Sequence, residues 1–357
     1  SDGRHPDGVR FVRSIREDLA RRDFTVGAMA WHPERGLFDP FEGQNDLKNR
    51  ILRAVGDPDT RFTEDALRIL RGVRFASELG FAIEGNTAAA MRRQLGRLSC
   101  VAAERVREEL TRLLCGRWAQ RTLLKYNDII GAALPELVPM FGCTQDNPHH
   151  CYDVWGHTVR AVGQVPSEPC LRWAMLLHDS GKPACKTVDE QGVGHFRGHP
   201  KHSRALAGTL LPRLRFSKED TERILLLVEQ HDRPLGDSEK LVRRSLARLG
   251  EARFRDLLMI KKGDAVGQNT QPWDVGTLCA TERMLNEVLR QNACLSLRQL
   301  AVNGHDMQAL GLGGAAIGGM LRYLLDAVLD DESRNRREIL LRLARTEMEE
   351  NYGQHRE

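Results

Sequence analysis

The sequence predicts a mainly α protein of several domains, elongated and helical, with a small β-containing segment at its start. Three observations carry this expectation. Apolar residues recur at helical spacing in one segment after another beyond about residue 45. Polar, Gly and Pro breaks separate those segments. At 357 residues the chain also exceeds the usual size of a single core, so roughly two to four units are expected.

Residues 8–13 (GVRFVR) alternate weakly, and RGLFDPF (35–41) has a short apolar core closed by Pro, which together predict a little strand structure. Amphipathic helices are expected over 63–80, 86–96, 103–115, 117–126, 154–164, 170–178, 202–213, 217–230, 238–248, 253–262, 278–291, 315–329 and 333–349. The stretches LPELVPMFGCTQDNPHH (134–150) and GQNTQPWDVG (267–276) read as boundaries. The expected segments are therefore 1–45, small and β-containing; 46–135, helical; 136–266, helical and holding most of the histidines; and 267–357, helical.

With 41% hydrophobic and 29% charged residues the composition is that of a globular protein, and no apolar run is long enough to span a membrane. No targeting pattern is visible in SDGRHPDGVRFVRS. The eight cysteines stand singly, without a CxxC pair, which suits a reduced, cytoplasmic protein. Net charge is only +4, yet 44 of the 53 basic residues are Arg, the side chain suited to bidentate phosphate contacts. A compositional bias explains that excess equally well.

The middle segment carries a series of histidines and aspartates. His157 lies on the helix DVWGHTVRAV, His178-Asp179 end LLHD, His199 and His202 sit in GHPKHS, His231-Asp232 end RILLLVEQHD, and Asp264 ends LLMIKKGDAVGQ. Adjacent residues at a helix end differ by about 100 degrees, so an imidazole and a carboxylate there can approach one ion from two sides. A mixed N and O set suits Mn, Fe, Ni or Zn, with Mg also possible. Such an ion, with open positions, can bind a phosphate oxygen and activate water for phosphoester hydrolysis. Lys182 could offset phosphate charge. Each histidine alone is more simply a core or surface residue, whereas the joint pattern favours a site, with His195 and His202 as bystanders.

GHT, LLHDSGKP, GHFRGHPKHS, VEQHD and GDAVGQ together resemble the HD superfamily of metal-dependent phosphohydrolases over roughly residues 150–266. The resemblance implies His157, His178, Asp179 and Asp264 as primary metal ligands, with His199 and His231 for a second ion. Ser180 stands where the family often has Ile or Leu, and Ser203 where some members have Gly.

The second group lies nearer the start. REDLARRDFTVGAMA (16–30) and GLFDPFEGQNDL (36–47) precede RFTEDALRILRGVRFASELGF (61–81), in which Asp65, Arg68, Arg71 and Arg74 step by three. On one helix these groups spiral around the flank opposite Ala66, Leu70 and Val73, with Arg68 pointing almost directly away from the core. A carboxylate with a guanidinium can match a nucleobase edge, and further Arg groups can take up phosphate charge. From spacing alone, an ordinary solvated face with ion pairs is the better account.

Resemblance overturns it. In this order the three segments are similar to motifs of the bacterial tRNA nucleotidyltransferases, the CCA-adding enzymes, and of the related poly(A) polymerases. SCVAAERVREELTRLL (99–114) and LAVNGHDMQALGLGGAAIGGMLRYLLDAVLD (300–330) are similar to that family's neck helix and tail. The resemblance implies a truncated α/β nucleotidyltransferase head remnant over 1–45, a neck and body over 46–135, an HD domain over 136–266 and a tRNA-binding body and tail over 267–357. Arg22 and Asp23 would contact triphosphate and ribose, Asp65 and Arg68 would read the incoming base, and Arg71 and Arg74 would bind phosphates or brace the pocket. Gly43, Gln44, Asp46 and Leu47 would form a flexible turn between head and neck. Gly27 stands where RRDFTxNA has Asn, removing an amide that would hold the pocket in shape.

The implied activity is template-independent transfer of CMP and AMP from CTP and ATP to the tRNA 3′ end, with Mg2+ and with the tRNA acceptor arm as partner. The glycine-rich GGxxR and the DxD carboxylates of that family have no equivalent in the 357 residues, and Asp2, Asp7 and Asp39 are not spaced to replace them. Without them the chain is expected not to polymerise, because two-metal transfer needs those carboxylates. Incomplete head strands would also expose edges and apolar faces. Two other readings remain: a metal-dependent HD phosphohydrolase as the surviving activity, and a non-catalytic tRNA-binding module.

Overall fold

A computed structural model describes residues 14–147, 151–268 and 275–351. The strand expected over 8–13 lies outside the described residues, as do Asp2 and Asp7. The chain divides into two compact units, Ser1–Asp232 with Met259–Trp273, and Arg233–Leu258 with Asp274–Glu357. This division is coarser than the four segments above, and residues 233–258 group with the C-terminal segment. The fold is mainly α. Its strands, among the described residues, form three separate two-stranded pairs.

In the first unit, Ala30–His32 pairs antiparallel with Gly36–Phe38, within the expected apolar stretch. Ile51–Leu52 pairs parallel with Ala82–Ile83 and so brackets the arginine segment.

Residues 43–47 are not a flexible turn: Gly43–Asn49 is a helix. Asp39 starts it by accepting hydrogen bonds from the Gly43 and Gln44 amides. Gly43 is packed so closely that an added Cβ would meet the Thr25 carbonyl oxygen at 2.2 Å. The Asp46 carboxylate is buried, bonded by the Thr25 hydroxyl and the Arg53 guanidinium. Tertiary contact, which spacing does not reveal, converts this stretch from linker to fixed element.

The arginine segment is two helices rather than one. Pro58–Glu64 is capped by Asp57, which accepts from Thr60 N, and Leu67–Leu79 ends at Gly80 in the left-handed region. Asp65 lies between them in an extended conformation, and its Oδ1 accepts from Leu67 N at 3.0 Å. That local bond competes with helix continuation. Ile69, Leu70 and Val73 are fully buried, each worth about 1.5–3 kcal/mol. Helix Ala103–Leu114 packs against this one, with Ser77 Oγ donating to Leu113 O at 2.6 Å.

Helices Val154–Gln164, Pro169–Leu177, His199–Arg213 and Lys218–Gln230 follow. Asp153, Glu168 and Ser217 cap three of them by accepting from backbone amides. The helix expected over 202–213 begins at His199, after Gly198 in the left-handed region. Helices Ile15–Ala20, Asn127–Ala133 and Gly304–Ala309 were not anticipated, being too short to show periodicity.

In the second unit, Glu239–Leu249, Gly276–Arg290, Ala315–Asp330 and Arg337–Asn351 are helical. Val302, Met307, Met320, Leu324, Val328 and Leu340 form its core. Asn303 and Asp306 make a reciprocal capping box. No described helix is long and apolar enough to cross a membrane.

Candidate functional site

Three helix ends and two helix interiors of the first unit bring the histidines and aspartates together. His178 and Asp179 follow Pro169–Leu177, and His231 follows Lys218–Gln230. His199 opens its own helix, and His157 and Asp264 project from within theirs. All but Asp264, which is partly exposed, are buried.

The hydrogen bonds of three imidazoles fix their orientation. Nδ1 of His178 lies 2.7 Å from Met175 O, that of His231 lies 2.7 Å from Val228 O, and that of His199 lies 2.9 Å from Phe196 O. A carbonyl accepts only, so each Nδ1 carries a proton and each Nε2 turns inward, where it offers a lone pair whenever it is not itself protonated. The Nε2 atoms converge: those of His157 and His178 are 3.3 Å apart, and those of His199 and His231 are 3.2 Å apart.

Asp179 lies between the two pairs. Its Oδ2 is 3.3 Å from His157 Nε2 and 3.2 Å from His178 Nε2, while its Oδ1 is 3.1 Å from His199 Nε2 and 3.8 Å from His231 Nε2. Asp264 Oδ1 lies 3.0 Å from His157 Nε2. Without an ion, protons bind these atoms instead. Burial opposes charge on His178, but Asp179 and Asp264 outweigh it and push its pKa up to about 10. Burial likewise disfavours both carboxylates, yet the histidines, with Lys182 at Asp179, hold them well below the usual range. His231 moves the other way, to about 4, through burial and the neighbouring His178 charge. Facing acceptor lone pairs beside carboxylates in a buried pocket fit a divalent cation; His157, His178 and Asp264 could hold one, and so could His178, Asp179 and His231.

The cluster opens into a cleft of about 340 Å³ whose wall includes Lys182, His195, Arg197 and Asp232. Lys182 Nζ sits 2.8 Å from Asp179 Oδ2 and donates to Gln145 Oε1 at 2.9 Å. Gln145 carried no sequence signal. His202 instead sits beside Cys185, 3.1 Å from its sulfur.

The second group forms around the arginine helix. Arg71 Nη2 is 2.7 Å from Asp23 Oδ2, and Arg68 Nη2 donates to Arg21 O at 2.8 Å, so the RRDFT stretch and the arginine helix meet. Arg22 donates to Gly27 O at 3.3 Å. Arg68 does not point away from the core: its side chain is only 16% exposed and it also bonds Glu64 and Arg61 O. Asp65, off the helix, pairs with Arg105 at 3.1 Å. Arg74 is 1% exposed, enclosed by Glu109 and Glu78, at 2.5 and 2.6 Å, and stacked on Phe75. Glu109 and Arg105, both in AERVREEL, were not singled out by spacing.

A head-and-neck unit carrying this arginine face, joined to an HD-type histidine cluster, defines a nucleotidyltransferase with a metal-binding helical domain. Comparison with known proteins agrees. The Poly A polymerase head domain family matches residues 1–53, the family described as "Probable RNA and SrmB- binding site of polymerase A" matches 80–139, and the HD domain family matches 149–262. An A-adding tRNA nucleotidyltransferase of Deinococcus radiodurans is 35% identical over 340 residues, covering 90% of this chain and 77% of that protein. A CC-adding tRNA nucleotidyltransferase of Thermus thermophilus is 35% identical over 332 residues, covering 88% and 73%. The solved Bacillus stearothermophilus CCA-adding enzyme in complex with CTP superimposes with a TM-score of 0.66 at 25% identity, covering 96% of this chain and 76% of that one. The chain belongs to the tRNA nucleotidyltransferase family and carries an HD domain.

Proposed function

We propose that this chain acts in CCA addition at the tRNA 3′ end, using CTP and ATP, and that its arginine face selects the nucleotide. The observation that supports this reading is the contact of Asp23 with Arg71, which brings the RRDFT stretch and the arginine helix to one face. Asp65 offers carboxylate acceptors and Arg68 guanidinium donors to a base edge. Both are held by intramolecular bonds, so a nucleotide must exchange for the Arg105 and Glu64 contacts. Arg22, Asp23 and Arg71 take triphosphate and ribose, and Arg74 braces the face from beneath. Transfer chemistry, with its Mg2+, is assigned to none of the residues described. The names of the relatives support tRNA as the partner.

Binding to a tRNA transcript lacking its terminal CCA tests this reading. Affinity should fall steeply with salt, as phosphate contacts release counterions. Equal affinity for unrelated hairpin RNA would contradict it.

A second activity is supported by the six convergent ligands: metal-dependent phosphoester hydrolysis in the HD cleft. His157, His178, Asp179 and Asp264 would hold a first ion, and His199 and His231 would help hold a second, as Mn, Ni, Fe, Zn or Mg. The bound ions would polarise a phosphate oxygen and supply an activated water. Lys182 would steady Asp179 and offset phosphate charge at the cleft floor. Loss of phosphoesterase activity in Asp179→Ala, with folding retained, is the expected result.

A further inference from the structure

His195 belongs to the short hairpin in which Thr187–Val188 pairs antiparallel with Gly194–His195. The turn of that hairpin is built on Asp189, whose Oδ1 accepts from the amides of Gln191 and Val193 at 3.0 and 2.9 Å. Its other oxygen, Oδ2, lies 2.7 Å from His195 Nε2. Asp189 is thus fixed by backbone and directs one imidazole nitrogen. These hydrogen bonds, first the one from His195, also hold its carboxyl below the usual carboxylate range.

His195 is part of the cleft wall with Asp179, Lys182, Arg197, His199, His231, Asp232 and Asp264, whereas Asp189 is not. An imidazole held by a fixed carboxylate on the wall of a cleft has the components of a general acid-base dyad. With Nε2 committed to Asp189, Nδ1 is the nitrogen left for a ligand in the cleft.

We propose that His195 is the general acid of phosphoester hydrolysis in this cleft, with Asp189 as its positioning residue. The proposal rests on the hydrolase reading of the HD site. In the step, the bond between phosphorus and the leaving oxygen breaks while a water oxygen bonds to phosphorus. The proton on His195 Nδ1 passes to the leaving oxygen, which departs as an alcohol. The attacking water releases one proton to solvent, and His195 takes one back, so the cycle closes. Asp189 keeps the Nε2 proton in place throughout and stabilises the imidazolium between turnovers. The His195 side chain is 38% exposed, so solvent reaches it.

The hairpin could instead need the Asp189–His195 bond only for its own stability, and leaving-group dependence separates the two roles. p-Nitrophenyl phosphate departs as a stabilised phenolate and needs little protonation, whereas glycerol 2-phosphate departs as an alkoxide and needs it. The metal-loaded full chain and its His195→Gln variant are assayed on both esters across pH, with bound metal measured in parallel. Removal of a general acid costs about 10²–10⁴-fold. The expected result is that His195→Gln lowers glycerol-phosphate turnover at least about 100-fold more than p-nitrophenyl-phosphate turnover. It should also abolish the decline of the alkyl-ester rate at alkaline pH, with metal content unchanged. Asp189→Asn should shift that decline. Equal losses on both esters, or none, would overturn the role of His195 while leaving the hydrolase reading intact. If the wild-type protein hydrolyses neither ester with any of the metals above, the hydrolase reading fails and the proposal fails with it.

Discussion

Arg71 and Asp23, 48 positions apart in the chain, meet at 2.7 Å and join the RRDFT stretch to the arginine helix. The side chain of Arg71 is 36% exposed, so the pair is open on one side. A ligand carrying both a polyphosphate and a hydroxyl-bearing ribose can bind across it, with phosphate on the guanidinium and hydroxyl on the carboxylate. Breaking the pair by Asp23→Ala should therefore weaken nucleotide binding about tenfold or more, measured by calorimetric titration with CTP and ATP. A change below twofold would assign the pair to structure alone.

Beneath that face, Arg74 and Glu109 form a buried pair. Removing Glu109 leaves Arg74 with the Glu78 contact alone, so the expected cost lies below the about 3–5 kcal/mol of a wholly uncompensated buried charge. Glu109→Ala should lower the denaturant midpoint of the first unit accordingly. Arg93→Ala, which breaks an exposed pair with Asp59, should leave that midpoint within error.

Gly27 has room for a side chain: the nearest atom to an added Cβ is Asp23 Oδ1 at 4.0 Å. Gly27→Asn should fold normally and bind CTP or ATP about 3–10-fold more tightly, the worth of about one hydrogen bond. Unchanged or weaker affinity would mean that the pocket holds its shape without the amide.

The histidine cluster was legible almost entirely from sequence. His178 and Asp179 are neighbours at one helix end and His231 follows another, so local geometry already aims these three. The arginine segment was legible in its residues but not in its shape. Asp65 leaves the helix because its own side chain bonds Leu67 N, a choice that helical periodicity does not register. Gly43 looked like a hinge because its close approach to Thr25 depends on the tertiary fold. The Asp189 partner of His195 and its place in the cleft wall were not legible, because they come from a hairpin too short to read.

Asp179 touches both histidine pairs, whereas His231 belongs to one. Loss of Asp179 should therefore abolish binding of both ions, and His231→Ala should remove one. Metal analysis by mass spectrometry after reloading with Mn or Ni checks this. Equal loss in the two variants would contradict a divided site.

Protons compete with the metal. In the metal-free cluster Asp179 and Asp264 outweigh the burial of His178 and raise its pKa to about 10, so at neutral pH it holds a proton that an entering ion must displace. Metal affinity should accordingly rise with pH between about pH 6 and pH 8, with net proton release on binding. Calorimetry in buffers of different ionisation enthalpy measures that release, and pH-independent affinity without it would be the opposite result.

The most direct test of the central claim, that Asp65 and Arg68 select the nucleotide, is a comparison of CTP, ATP, GTP and UTP binding to the wild-type chain and to Asp65→Ala and Arg68→Ala. The account predicts that CTP, ATP or both bind at least about tenfold more tightly than GTP and UTP, a difference of one good base-edge contact, and that either substitution erases the preference. Equal binding of all four nucleotides to the wild type, or a preference that survives both substitutions, would contradict it.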